Sequence, residues 1–599
     1  MYVIYVLIAS ITMSFIYEYS GLNGIGAKNM MLSFLLFLFI NILVSNPNKK
    51  YKRNIVIFSF IPVLLAICNV TKVRFQLAEI SFFDVKLAKA AGDIAGLFLD
   101  KIPYTKIALI LVVYVIFVIL SKKYVDIIDF FKMKYTLEEQ NDIDDKLFDI
   151  DRLFRLKYIK IFPLIFIISF FTFTSEISSA LSTSSFGNLL ISGKILTQTY
   201  LRKYENEEQA IKRIIKTAKK EELAKIDIND RLLKDYPFNK QNNMDVVIIQ
   251  SETFFDLPKY QDKLEKNGIV VHDEHISDNL HYYQNNGISG IMHTPTVGGG
   301  TVNTEYEVMT GYGARYFARG SIVFTSILEK QTNSLAYFLK DYVGNMKTIG
   351  IHNHNADYWD RDRVYPLLGI DKFIDITMFT KEEQDDLVGA WMSDKTIFDM
   401  TRRQLEENPN TNNFILSVTV QNHGPFLGKK GEDIEVDNLS EHDGWEIRNF
   451  VSNLKYSDEQ LKIFMDYIDS RQKPTIVIFY GDHKPDPNYD IFKNSKYYTE
   501  NDRQNMFNTD YFIYFNNAVQ DEKLTSLKGI HQDISAAALN RYIQILLGDT
   551  SPVSMYMYNY TKDPVNYFNK DVITGIKDNT YRDITTNFVN AFIDYKDFD

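Results

Sequence analysis

Four apolar runs in the second half of this chain each stop at a side chain able to bind a metal or move a proton. Asp245-Val-Val-Ile-Ile249 leads into Gln250-Ser251-Glu252, and Lys347–Ile351 leads into His352-Asn-His354. Phe414–Val420 leads into Gln421-Asn422-His423, and Pro474–Tyr480 leads into Gly481-Asp482-His483. Between the first two runs, Gly298-Gly-Gly delivers Thr301 to what reads as a first helical turn, with Glu305, Glu307, Val308 and Met309 following. Glu252, Asp482, His483 and the Thr301 hydroxyl make a mixed oxygen and nitrogen donor set that suits Mn²⁺, Mg²⁺ or Zn²⁺. A hydroxyl bound to such an ion, at the positive end of a helix, loses its proton more easily and becomes a nucleophile. The ion can also neutralise an oxygen of a phosphoryl group under attack. His352 and His423 are then free to bind other phosphoryl oxygens or protonate a leaving group. Arg361 can clamp phosphate as a bidentate donor, and Trp359 offers a flat apolar wall.

Each residue also has a plainer reading. Thr301 can be an N-cap, Glu252 a capping or turn residue, and the histidines ordinary polar loop residues. Against that stands their concentration: six of the ten histidines, His293, His352, His354, His423, His483 and more loosely His531, fall in or near loops and turns of this one region. Two rival motifs fail on context. His352-Asn-His354 lacks the ββα surroundings of the nuclease motif it spells, and Ser289 in Gly287-Ile-Ser-Gly290 lacks the Gly-x-Ser-x-Gly spacing of a hydrolase elbow.

To bring these residues together the chain needs an α/β fold with a mainly parallel sheet, and from about Met244 short apolar runs alternate with helical stretches as such a fold requires. In such sheets ligands gather outside the carboxyl ends of the strands, where the candidate residues stand. From about Asn516, His531-Gln-Asp533-Ile534 precedes an apolar helical run that should close the end of the sheet.

The first third reads differently. Apolar segments run from Tyr2 to Tyr17, Met30 to Val44, Ile55 to Val70, Ile107 to Leu120 and Tyr158 to Thr174. Each is slightly shorter than the roughly 20 residues of a spanning helix, but five in succession predict five spans. Lys49, Lys50, Lys52 and Arg53 follow the second run, and Lys122, Lys123, Lys132, Lys134, Arg152, Arg155 and Lys157 follow the fourth. The positive-inside bias then puts the N-terminus in the cytoplasm and everything after Thr174 outside. Tyr124–Arg155 is predicted as an amphipathic stretch at the inner surface and Arg202–Leu233 as a charged helical stalk. The expected division is a transmembrane domain over 1–175, a linker and stalk over 176–243 and an outer α/β domain over 244–599. A net charge of -10 excludes the whole chain as a nucleic-acid binder. A single cysteine, Cys68, excludes an intramolecular disulfide and a cysteine-based zinc cluster.

Five spans followed by an outer α/β domain, with Gln-Ser-Glu252, Gly-Gly-Gly-Thr301, His352 through Tyr-Trp359-Asp-Arg361, Asn-His423-Gly-Pro-Phe and Gly-Asp482-His483 in this order, resemble the lipoteichoic acid synthases. These form part of the sulfatase-like branch of the alkaline phosphatase superfamily. The resemblance implies Mn²⁺, with Mg²⁺ as the other option, held by Glu252, Thr301, Asp482 and His483. It implies that Thr301 attacks phosphatidylglycerol, diacylglycerol leaves, and glycerol phosphate passes to a glycolipid-anchored or cell-surface polymer. His352, Trp359, Arg361 and His423 match positions that bind glycerol phosphate. It also implies a multi-pass protein of a Gram-positive type cell membrane with an extracellular catalytic domain. His354 stands where the family has an acidic residue, so recognition of the donor or acceptor is expected to differ. The alternative is a phosphodiesterase or phosphotransferase of the same superfamily acting on another envelope polymer. Sulfatases usually mature a Cys or Ser to formylglycine, so a threonine argues against sulfate esters. Phosphoethanolamine transferases would bring further cysteines.

Overall fold

A computed structural model describes residues 2–21, 25–44, 51–76, 79–80, 102–135, 230–265, 269–314, 322–326, 328–438, 444–485 and 506–562, with the isolated positions 84, 99 and 189. They divide into an N-terminal helical unit and an α/β unit.

The helical unit contains α1 (Tyr2–Ser20), α2 (Ala27–Val44), α3 (Tyr51–Gln76) and α4 (Tyr104–Tyr135). Ala27–Val44, Arg53–Arg74 and Tyr104–Ser121 are long and apolar enough to cross a membrane, while Ile4–Ser20 is apolar but shorter. Ile57, Phe60 and Ile61 of α3 and Val112, Val115 and Ile116 of α4 are exposed. Polar groups turn inward and pair: Tyr5 donates to Ser121, Asn41 to Ser10, Asn69 to Ser20 and Ser33 to Glu18. Apolar outside and paired polar inside is the arrangement that a hydrocarbon surrounding selects. Two boundaries differ from the sequence reading. Residues 71–76 continue α3 instead of opening a loop, and residues 124–135 continue α4 instead of starting a new element. The expected fifth span, the charged stretch beyond Tyr135 and the stalk up to residue 229 lie outside the described residues.

The α/β unit is built on an eight-stranded sheet, flanked by a two-stranded hairpin. Its strands are β1 (Asp245–Ser251), β2 (Ile288–His293), β3 (Met346–His352), β4 (Lys372–Ile374), β7 (Asn412–Val418), β8 (Thr475–Gly481), β9 (Asn508–Phe515) and β10 (Ile534–Ser535), and β5 (Leu387–Val388) pairs with β6 (Trp391–Met392) in the hairpin. The order is β10-β2-β9-β8-β1-β7-β3-β4, parallel except that β9 runs against both neighbours. Since β9 is antiparallel to β2 and to β8, those two run the same way. The carboxyl ends of β1, β2, β3, β7 and β8 therefore share one edge.

The strands are buried on both faces, as parallel strands covered by helices must be. Val247, Ile249, Val477 and Phe479 join one core with Leu280 of α5 (Asp278–Asn286), and with α8 (Asp394–Glu407) and α9 (Gly444–Ser470). Val246, Ile248, Ile476 and Ile478 are equally buried on the opposite face. The helix α6 (Thr301–Thr310) is buried at every position, and α10 (Ala536–Leu546) holds its end: Asn540 donates to the Val308 carbonyl at 2.7 Å and Arg541 to that of Thr310 at 2.9 Å. Residues 230–243 pack on this unit. Buried Asp230 accepts from the Tyr558 hydroxyl at 2.8 Å and from Lys562 at 2.7 Å, and the Tyr542 hydroxyl donates to the Leu232 carbonyl at 3.0 Å.

Candidate metal and nucleophile site

Register brings the first carboxylates together. Ser251 pairs with Gly481 across β1 and β8, so Glu252 and Asp482 leave neighbouring strand ends side by side. Gly481 cannot carry a side chain, because the Phe254 carbonyl occupies the place of its Cβ. Thr253, held at φ 51°, ties the two acids to one another. Its N–H donates to Oδ1 of Asp482 at 2.7 Å and its hydroxyl to Oε1 of Glu252 at 2.7 Å. The backbone N–H of Glu252 is taken by the Thr419 hydroxyl at 3.0 Å.

Thr301 arrives from the end of β2 on a loop whose three glycines, Gly298, Gly299 and Gly300, all have positive φ. At Gly300, φ 84°, a Cβ would also stand 3.0 Å from Cγ2 of Thr296. Gly300 is the N-cap of α6, and Thr301 is the first helical residue. The capping reading of Thr301 thus gives way: its hydroxyl lies 3.2 Å from Oε2 of Glu252 and 3.5 Å from Nε2 of His483. Gln250 donates to the Thr301 carbonyl at 3.3 Å and accepts from the Tyr480 hydroxyl at 2.7 Å, which fixes the residue from below.

The set tests well as a cation site. Glu252, Asp482 and His483 are buried, and their ligand atoms all lie within 4.8 Å of one another. Oδ2 of Asp482 has no hydrogen-bond partner and stands 3.3 Å from Nε2 of His483. Nδ1 of His483 lies 2.9 Å from the Lys484 carbonyl, which fixes that nitrogen as the donor and leaves the Nε2 lone pair turned toward the carboxylates. The same carbonyl accepts from the N–H of Gly298 at 2.9 Å, so one oxygen holds both the glycine loop and the imidazole. Burial, and then the neighbouring Glu252, push the Asp482 carboxyl up to about 7. Two like charges so placed call for a cation between them.

A second group of side chains stands at the ends of β3 and β7. His352 pairs in register with Val418 and uses Nδ1 to donate to its carbonyl at 2.9 Å. Burial, then Arg361, holds His352 well below the ordinary imidazole range, and burial, then His423 and Arg361, brings His354 down to about 4. The His352 and His354 rings are 6.0 Å apart, and Trp391 of β6 lies 5.6 Å from His354 and 4.6 Å from His423. Nδ1 of His423 donates to the Gly424 carbonyl at 2.6 Å.

Several expectations need correction. Arg361 is no free bidentate clamp: Nε and Nη2 both donate to Oε2 of Glu305, at 3.2 and 2.9 Å, and Nη1 alone is left over. The aromatic rings against the imidazoles are Trp391 and Tyr358, the latter 4.8 Å from His354, while Trp359 is half-buried at φ 62° with Tyr358 as its neighbour. Two of the six histidines serve elsewhere. Buried His293 bonds Asn508 at 2.7 Å, and exposed His531 bonds Ser289 at 3.1 Å. Thr253 and Trp391 carry no signal that the sequence reading used; Gly389-Ala-Trp391, holding one of three tryptophans, was the available hint.

The sulfatase family model matches residues 245–542. Among curated relatives, a protein of Rhizobium meliloti named for cyclic beta-1,2-glucan modification is 30% identical over 253 residues, which is 40% of this chain and 36% of that protein. The lipoteichoic acid synthase of Staphylococcus saprophyticus is 29% identical over 137 residues, 22% of this chain and 20% of the synthase. The chain thus matches about a third and a fifth of these relatives' lengths. Among solved structures, the Streptococcus pyogenes phosphoglycerol transferase GacH in complex with sn-glycerol-1-phosphate aligns at TM-score 0.49 and 22% identity over 64% of this chain and 93% of that one. The integral membrane protein lipooligosaccharide phosphoethanolamine transferase A of Neisseria meningitidis aligns at TM-score 0.46 and 12% identity over 93% and 98%.

Proposed function

Residues 245–542 are a sulfatase-family domain, and from that premise we propose that this chain is a membrane-anchored, metal-dependent phosphoglycerol transferase. It would move glycerol phosphate from phosphatidylglycerol to a glycolipid-anchored or cell-surface polymer. The observation that carries the reading is the placement of the Thr301 hydroxyl 3.2 Å from Glu252 and 3.5 Å from His483, inside a buried set of metal-type donors. Mn²⁺ is the ion of this reading, with Glu252, Asp482, His483 and Thr301 as the residues that would hold it. When bound it supplies Lewis acidity, lowering the pKa of the hydroxyl and offsetting charge on a phosphoryl oxygen.

The chain's own residues do the rest. Oε2 of Glu252 is the acceptor nearest the Thr301 proton. Oγ1 of Thr301 forms a bond to phosphorus while the bond from phosphorus to the diacylglycerol oxygen breaks, leaving glycerophosphate esterified to Thr301. His423 stands at the rim, partly exposed, and exchanges the proton with the departing and then the incoming oxygen. His352 and Nη1 of Arg361 bind non-bridging oxygens, and Trp359 and His354 complete the substrate-binding surface. An acceptor hydroxyl reverses the sequence and frees Thr301. The lipid donor fits a chain with three helices among its described residues long and apolar enough to span a membrane, and the catalytic domain is extracellular on this reading.

The test is mass spectrometry of the full chain quenched during turnover of phosphatidylglycerol with Mn²⁺. A glycerophosphate adduct on Thr301 is expected, together with free diacylglycerol. Diacylglycerol release undiminished in Thr301→Ala would remove the proposal.

A further inference from the structure

The transfer reading, on which this inference rests, leaves one buried carboxylate without a role. Asp394, the first residue of α8, is 1% exposed, and Thr419, Gln421, Asn422 and Ser457 around it are also buried. A carboxylate only accepts hydrogen bonds, and that property sets the direction of its neighbours. Ser457 of α9 gives its one hydroxyl proton to Oδ2 of Asp394 at 2.7 Å. Its oxygen is then left to accept from Nε2 of Gln421 at 2.9 Å and from Nδ2 of Asn422 at 3.1 Å. The backbone N–H of Asp394 closes the ring by donating to Oε1 of Gln421 at 2.9 Å. Gln421 and Asn422 are the two residues before His423.

Thr419 forms a second branch. Burial raises the Asp394 carboxyl, and the Ser457 and Thr419 hydroxyls draw it back toward the charged form. With its proton turned to Asp394, the Thr419 oxygen accepts the backbone N–H of Glu252 at 3.0 Å. The same turn of α8 holds the residue between His352 and His354. Asn353 donates to the carbonyls of Met392 and Ser393 at 3.3 and 3.2 Å and to the Thr396 hydroxyl at 3.1 Å. An asparagine at 394 would fit the space, but its amide would donate where the carboxylate accepts. One hydroxyl would then meet donors on every side, and either the ring around Gln421 or the bond to Glu252 would be lost. A carboxylate at a helix N-terminus also favours the helix dipole, a role that would show in a thermal melt alone.

We infer that Asp394 is a positioning residue whose acceptor-only carboxylate holds two branches of the site in place: Glu252 through Thr419, and the His423 segment through Ser457 and Gln421. The experiment uses the full chain in nanodiscs of phosphatidylcholine, where calorimetry reads Mn²⁺ affinity, and then with phosphatidylglycerol added, where diacylglycerol release gives kcat and KM. Thr419→Val should weaken Mn²⁺ binding about tenfold, and Thr419→Ser should restore it. Ser457→Ala should leave Mn²⁺ affinity at the wild-type value and lower kcat about tenfold with KM little changed, because His423 is then misplaced. Asp394→Asn should show both losses. Adding Thr419→Val to it should weaken Mn²⁺ binding by no more than about twofold further, since both act through one bond. Melts accompany every variant; should Asp394→Asn not fold, the separate signatures of the Thr419 and Ser457 variants carry the test. The inference is overturned by Asp394→Asn with a lowered melt but wild-type Mn²⁺ affinity and kcat, by Thr419→Ser as weak as Thr419→Val, or by additive losses in the double variant. No diacylglycerol from wild type overturns the transfer reading instead, and the Mn²⁺ affinities still decide this inference.

Discussion

Thr301 spends its hydroxyl on Glu252 and leaves capping to Gly300, so its loss should be felt in chemistry and not in folding. Thr301→Ala is expected to lower diacylglycerol release by roughly 10³-fold or more with an unchanged thermal melt. Thr253 makes a sharper test, because it touches both acids without being a donor in the metal set. Thr253→Ala keeps the backbone bond to Asp482 and removes the hydroxyl bond to Glu252; Mn²⁺ affinity measured by calorimetry should fall roughly 10- to 100-fold. A third expectation concerns pH. His354, ordinarily at 6.5, is lowered to about 4, and His352 is lowered as well. Between about 6.5 and about 4 the unfolded chain binds protons that the folded one does not, so this contribution to stability is full above the window and lost as pH falls through it. Asp394 and Asp458, raised to about 6 mainly by burial, act in the opposite sense. Denaturation of wild type and His354→Gln across the window isolates the imidazole: wild type should lose more stability on acidification than the variant. At this scale the approach of Thr301 to Glu252, Asp482 and His483 was legible because each sits at a strand end or after a glycine run. Trp391 and Thr253 were not, since their roles come from tertiary approach and a left-handed backbone that no local pattern announces.

The strands β1, β3, β7 and β8 were readable as apolar runs, each within about two residues of its observed limits, because burial on both faces leaves a continuous hydrophobic signature. What could not be read is direction. β9 is as apolar and aromatic as its neighbours, and its reversal between β2 and β8 is a matter of how the chain returns to the sheet. The loop before α6 was legible in purpose but not in dihedral angles. Gly300→Ala must accept both φ 84° and the Thr296 side chain, so it should cost about 1–3 kcal/mol of stability. Displacement of Thr301 should cost more in turnover than in stability, and paired melts and rate measurements would separate the two. The Arg361–Glu305 pair joins α7 (Arg361–Leu367) to α6 with both side chains buried. Glu305→Gln leaves a buried guanidinium without its counter-charge and should destabilise the fold by about 3–5 kcal/mol, whereas an exposed pair such as Lys381–Asp385 should matter little when broken.

For the whole molecule, hydropathy marked the apolar helices of the N-terminal unit, since apolar side chains facing outward and polar ones paired inward leave a composition unlike that of a water-soluble core. The beginning of the α/β unit was harder to see. Asp230 and Leu232 sit in a charged stretch that reads as stalk, yet they are buried against Tyr558 and Tyr542, more than 300 positions away. A soluble fragment beginning a few residues before Asp230 should melt like the α/β unit of the full chain, and one beginning at Met244 should melt several degrees lower, as calorimetry would report. The clasp has a further consequence. With the Asp230 carboxylate 2.7 Å from Lys562, the first and last described residues of the α/β unit are neighbours. A short peptide bridge could fuse them and fresh termini be opened at a distant surface turn, giving a circular permutant whose catalytic edge is undisturbed.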